Sequence, residues 1–239
     1  ASGARTRFTS SPADENWLIW SPDGQQVIFN RFSKTSLDLF SAPARGGGPE
    51  KLLLSGDEGK WPVSWSPDGQ SILFVTSSRS TGNDLWVLPL SGGKPYPILQ
   101  STAAENWAAF SPDGRSITFS STESGRPEVY VTRFPISGRK WRVSDGGGSQ
   151  ARWRRDGQEL YFLAPDGTLM AAAVNGEGAD LKSGAAQPLF TTHSPHPPYH
   201  AYDVATDGQR FLVNTLLFGP GKNTNIAGYV SSGRPVISF

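Results

Sequence analysis

The tripeptide Glu15-Asn16-Trp17 returns as Glu105-Asn106-Trp107, and the three histidines of the chain, His193, His196 and His200, stand together on a proline-rich stretch with Asp203 just beyond. Imidazoles and carboxylates bind zinc-like divalent ions, while carboxylates with amide oxygens suit calcium. Glu15, Glu105, His200 and His196 are therefore candidate ligands for a divalent metal, Ca or Zn. Such an ion would lower the pKa of a bound water for attack on an ester, lactone or phosphotriester. The plainer reading gives these residues no metal. The histidine spacing matches no zinc signature, and the two glutamates are then solvated or paired with Lys60 in a weak surface ion pair.

Asn16, Trp17, Lys60, Trp61, Asn106, Trp107 and Tyr199 form the second candidate set, with amide, indole, ammonium and phenol groups that suit contact with a small molecule or a protein. Other chemistries lack their motifs. No Gly-x-Ser-x-Gly elbow prepares a serine nucleophile, and the chain has no cysteine. The runs Gly46-Gly47-Gly48 and Gly146-Gly147-Gly148 lead into no helical pattern, so they read as turns and not as phosphate cradles.

What positions these residues is a repeat. Ser21-Pro22-Asp23-Gly24 recurs as Ser66-Pro67-Asp68-Gly69 and Ser111-Pro112-Asp113-Gly114, with weaker copies at Arg154-Arg155-Asp156-Gly157 and Ala205-Thr206-Asp207-Gly208. The starts step by 66−21 = 45, 111−66 = 45, 154−111 = 43 and 205−154 = 51 residues. A period of this size marks a repeat architecture. Asp-Gly favours a tight hairpin turn, and each copy is flanked by short apolar runs such as Val27-Ile28-Phe29, Leu37-Asp38-Leu39-Phe40 and Lys51-Leu52-Leu53-Leu54.

Four short strands per unit, repeated, predict an all-β fold: a five-bladed β-propeller of four-stranded antiparallel blades. The blades fall at about 16–54, 61–99, 106–144, 151–190 and 199–230 of one domain, with a tail at 231–239. Trp20, Trp65, Phe110 and Trp153, just before the turns, are expected to be buried against neighbouring blades, and the turn aspartates to be turn-formers. Residues 5–9 are expected to supply the outer strand that closes the last blade, with Val236–Phe239 as a competing candidate.

Counting back five and six residues from each turn gives Asn16 and Glu15, Trp61 and Lys60, Asn106 and Glu105, Ser149 and Gly148, His200 and Tyr199. These positions are expected to crowd one rim of the propeller channel. Composition narrows the partners. With 22 basic and 21 acidic residues scattered along 239, no basic stripe for nucleic acid is visible, and no apolar run is long enough to cross a bilayer.

The segments "WSPDGQQVIF", "WSPDGQSILF" and "FSPDGRSITF" resemble the TolB-like propeller repeats, relatives of WD repeats. "WRRDGQELYFLAPDGTLMAAAV" and "DVATDGQRFLVNT" resemble the C-terminal propeller segments of bacterial serine/threonine kinase-type signalling proteins. The resemblance implies a ligand- or protein-binding sensory or scaffold module, often placed outside the cytoplasm beyond a membrane span. Five blades depart from the six or seven common in that family. The binding module is the first expectation and the metal-dependent hydrolase its alternative.

Overall fold

Each Ser-Pro-Asp-Gly segment closes by the same bonds. The Ser21 hydroxyl donates to Asp23 Oδ1 at 2.6 Å and accepts from the Gln26 amide at 2.9 Å, while the Gln25 amide donates to Asp23 Oδ1 at 3.0 Å. Ser66–Asp68 and Ser111–Asp113 repeat the pattern at 2.6 and 2.5 Å. Only the glycine takes a positive φ, 68° at Gly24 and 74° at Gly69, so the aspartate serves as a hydrogen-bond acceptor and not as a left-handed residue.

The computed structural model describes residues 8–33, 35–176, 180–194, 200–219 and 222–231, with side chains described as far as residue 214. These residues form five antiparallel sheets whose strands follow chain order. The first holds β1 (Glu15–Trp20), β2 (Gln26–Ser33), β3 (Ser36–Pro43) and β4 (Lys51–Leu54), and the second β5 (Lys60–Trp65), β6 (Ser71–Ser78), β7 (Gly82–Pro89) and β8 (Tyr96–Leu99). The third holds β9 (Glu105–Phe110), β10 (Ser116–Ser121), β11 (Glu128–Arg133) and β12 (Lys140–Arg142). In the fourth, β13 (Ser149–Trp153), β14 (Glu159–Leu163) and β15 (Thr168–Asn175) are followed by β16 (Lys182–Ser183) and β17 (Gln187–Thr191), both paired with β15. The fifth has three strands, β18 (Tyr202–Val204), β19 (Arg210–Gly219) and β20 (Lys222–Ser231). No helix long and apolar enough to cross a membrane occurs among the described residues.

The chain divides into two compact units, residues 1–106 and 107–239. In the first unit, Ile28 and Leu39 of the first sheet pack with Ile72, Phe74 and Leu88 of the second. In the second unit, Val129 and Val131 pack with Leu160, Phe162 and Ala172, and Tyr161 and Leu169 pack with Tyr202, Phe211 and Val213. Successive sheets within a unit thus bury their inner faces against each other, which is the main favourable term in holding them together.

Two expectations change here. Trp65, Phe110 and Trp153 are buried or half-buried, but Trp20 is 58% exposed, because the first sheet has no preceding sheet in its unit to cover that face. For the closing strand, residues 5–7 and 236–239 lie outside the described residues. Phe8 and Thr9 belong to no strand, and Phe8 packs edge-on against Phe29, ring centroids 6.4 Å apart.

Candidate functional site

The first strand of three sheets carries a kink at the same place. Trp17, Trp107 and Gln150 have φ of 46°, 55° and 55°, and each stands four residues before its turn (21−17, 111−107 and 154−150). For β1 and β13 the pairing slips across this residue, between Asn16 and Ile19 and between Ser149 and Arg152. A left-handed non-glycine residue costs roughly 1–3 kcal/mol, and such strain collects where a side chain must be aimed. Pro62 holds this position in β5, where its ring forbids a positive φ, and the slip falls between Pro62 and Ser64 instead.

In the second unit the kinks at β9 and β13 gather a cluster. The rings of Trp107 and His200 meet edge to face, with centroids 5.0 Å apart. The half-buried Arg152 guanidinium lies 2.6 Å from His200 Nδ1, to which it donates. Behind them the Ala201 amide donates to Gln150 Oε1 at 2.8 Å, and the buried Tyr202 hydroxyl donates to the Gln150 carbonyl at 2.9 Å. These two bonds fix the backbone just after His200 to β13. Partial removal of the ring from water, and then the Arg152 charge, lower the His200 pKa from its ordinary value, although the residue as a whole stays exposed. His200 is therefore neutral at physiological pH. Among the described residues Arg152 has no carboxylate partner. Indole, imidazole and guanidinium together suit an anionic group presented on a flat or apolar support.

The first unit uses its expected rim residues differently. The Glu15 carboxylate accepts from Arg31 Nε at 2.7 Å and from the Thr9 hydroxyl; Arg31 also donates to Glu50 at 2.6 Å and lies over the Phe40 ring at 4.5 Å. Asn16 is exposed, opposite Asn30 in register. Glu105 is buried and accepts from the Ser101 hydroxyl at 3.1 Å; Asn106 accepts from Asn83 at 2.8 Å. Trp61 is half-buried on β5. Lys60 is not at the surface with Glu15 or Glu105: it is buried, with its ammonium 3.6 Å from Asp38 and donating to the carbonyls of Gly56 and Glu58 at 3.2 and 2.6 Å. His196 and Tyr199 lie outside the described residues. Among those described, no group of three or more His, Asp or Glu stands as a metal site.

Arg152 and Gln150 escaped the sequence reading because it took the residues five and six before each turn, whereas these stand two and four before theirs. A second feature had a visible signal. Asp38, Asp84 and Glu128 follow their turn serines by 38−21 = 17, 84−66 = 18 and 128−111 = 17 residues, and all three are buried. Each holds the connection that leads to the next sheet: Asp38 through Lys60, Asp84 through Gln100 at 3.5 Å, and Glu128 through the Ser144 hydroxyl and the Gly147 amide at 3.0 Å.

A family model for the TolB beta propeller domain matches residues 20–212. Among solved structures, TolB from Acinetobacter baumannii superposes with a TM-score of 0.72 at 19% identity over 94% of this chain, which spans 53% of that one. A protein described as TolB from Agrobacterium tumefaciens gives 0.54 at 16% identity over 75% of this chain and 83% of its own. A puromycin-hydrolyzing peptidase from Mycobacterium tuberculosis gives 0.59 at 16% identity, over 92% of this chain and 37% of that one. At these identities the likeness is one of fold. No curated protein sequence matches the chain.

Proposed function

Because the chain belongs to the TolB β-propeller domain family, we propose that it is a binding module, and that the Trp107–His200–Arg152 cluster receives a carboxylate of a protein partner. The observation that carries this reading is Arg152, a half-buried guanidinium with no carboxylate partner among the described residues, held 2.6 Å from a neutral imidazole. A guanidinium so placed gains most from a planar carboxylate, which it can grip with two parallel bonds. Trp107 supplies the apolar wall, and its strained backbone fixes the direction of the ring. No observation favours a metal-dependent hydrolase over this reading.

Fluorescence polarisation with unstructured peptides tests the proposal. Peptides ending in Asp-Glu with a free carboxylate are expected to bind, and their amidated, Asn-Gln counterparts to bind at least tenfold more weakly. Arg152→Ala is expected to remove that preference, and affinity to fall with rising salt. Equal binding of the two peptide classes overturns the reading. The five-bladed ring closed through residues 5–9 stays part of the proposal; an unchanged thermal midpoint after deletion of residues 1–9 would rule out that closure.

A further inference from the structure

Beside the connection from β4 to β5, the first unit has a cavity of about 200 Å³, open to solvent and lined by Leu54, Asp57, Glu58, Lys60, Trp86 and Pro95 among others. Leu54 ends β4, Trp86 stands in β7 and Pro95 precedes β8, so the cavity lies at the seam of the first two sheets. All three are half-buried, and Leu54 and Trp86 also pack on the core of that seam. They give the cavity an apolar wall.

The other residues carry charge. The buried Lys60 ammonium donates to the carbonyls of Gly56 and Glu58 at 3.2 and 2.6 Å, which fixes the connection while the Asp57 and Glu58 residues stay exposed. Burial lowers the Lys60 pKa, and the charges of Asp38, Glu58 and Asp57 oppose that shift. Three carboxylates thus act on one ammonium, and Asp38, 3.6 Å away, already matches it. Asp57 and Glu58 form no ion pair among the described residues. Negative charge is therefore in excess beside an apolar wall.

Size and charge select the occupant. A cavity of roughly 150 Å³ holds one benzene ring, so this one takes a single long side chain. Basic side chains lay an apolar stem along apolar surface and keep the charged head in water. A guanidinium is more weakly hydrated than an ammonium and stacks on aromatic surface, so it loses less in a half-buried place.

We propose that this cavity receives an arginine side chain of a protein partner, its stem along Leu54, Trp86 and Pro95 and its guanidinium at Asp57 and Glu58. The site belongs to the first unit and does not depend on the Trp107–His200–Arg152 reading.

Acetyl-Gly-Arg-Gly-amide is the probe, and the backbone amide resonances of Gly56, Asp57 and Glu58 in the ¹⁵N-labelled chain are the readout. Millimolar probe is expected to shift these signals, with affinity falling as salt rises. The citrulline counterpart keeps the shape without the charge, and the bare guanidinium ion keeps the charge without the stem; each is expected to bind about tenfold more weakly. Asp57→Asn with Glu58→Gln, both at exposed positions, is expected to weaken the probe about tenfold with circular dichroism unchanged. Four results would each overturn the proposal: no shift at these amides; an equal response to the citrulline peptide; an equal response to guanidinium, which would leave only an acidic loop; or unaltered affinity in the double variant.

Discussion

The Lys60 ammonium and the Asp38 carboxylate form a buried pair, 3.6 Å apart, that ties the connection after β4 to the start of β3. Lys60 stands at the first position of β5, and its own carbonyl accepts from the buried Asn30 amide at 3.0 Å. One residue thus joins the first sheet to the second through both its side chain and its backbone.

Lys60→Ala is expected to lower stability by about 3 kcal/mol, since it strands Asp38 as an uncompensated buried charge. The double variant Asp38→Leu with Lys60→Met should recover most of that loss. Urea unfolding followed by tryptophan fluorescence measures both, and a double variant no better than Lys60→Ala would show that the charge pair is not the cause.

Glu128 plays the same part in the third sheet with backbone donors. The hydrogen bonds it accepts from Ser144, Arg126, Gly147 and Gly146 hold its carboxylate below the usual range despite the opposing effect of burial. Glu128→Ala should cost about 2–4 kcal/mol through the bonds it strands. Hydrogen exchange at the Gly146 and Gly147 amides should quicken with it, and unchanged protection there would contradict the tether.

Acid should destabilise the fold through the turns. Serine and backbone hydrogen bonds lower the pKa of Asp23 and Asp68 below the ordinary aspartate value, and Asp113 shifts the same way although burial opposes it. A depressed carboxylate pKa gives stability that is complete above the unfolded value and is lost as pH falls through the folded one. The triple variant Asp23→Asn, Asp68→Asn and Asp113→Asn should therefore flatten the decline in thermal midpoint below about pH 4, while lowering the midpoint at neutral pH. An acid limb as steep as that of the parent would refute this.

His200 should titrate below the ordinary histidine value when followed by NMR, since crowding of its ring and the Arg152 charge both lower its pKa. The unfolded histidine titrates near 6.5, so this group's contribution to stability is full above that value and falls as pH drops toward the folded pKa. Arg152→Ala should raise the His200 pKa by removing the neighbouring charge. A titration midpoint near 6.5 in the parent protein would show that the imidazole is not held as described.

The sequence by itself determined the sheets. A turn that closes through its own serine, aspartate and glycine needs nothing distant, so Ser21-Pro22-Asp23-Gly24 and its copies marked the hairpins, and the apolar runs beside them marked the strands. It also placed His200 and Trp107 among the candidate residues. Only the tertiary structure decided which side chains act together. Glu15 was drawn to Arg31 and Glu50, and Lys60 sank to Asp38, because a buried or half-buried charge goes to whichever partner the fold brings within reach. Arg152 met His200 across 48 residues. Local bonds are written in neighbouring residues, whereas the partner of a charge or an indole is set by packing between sheets, which no spacing along the chain records.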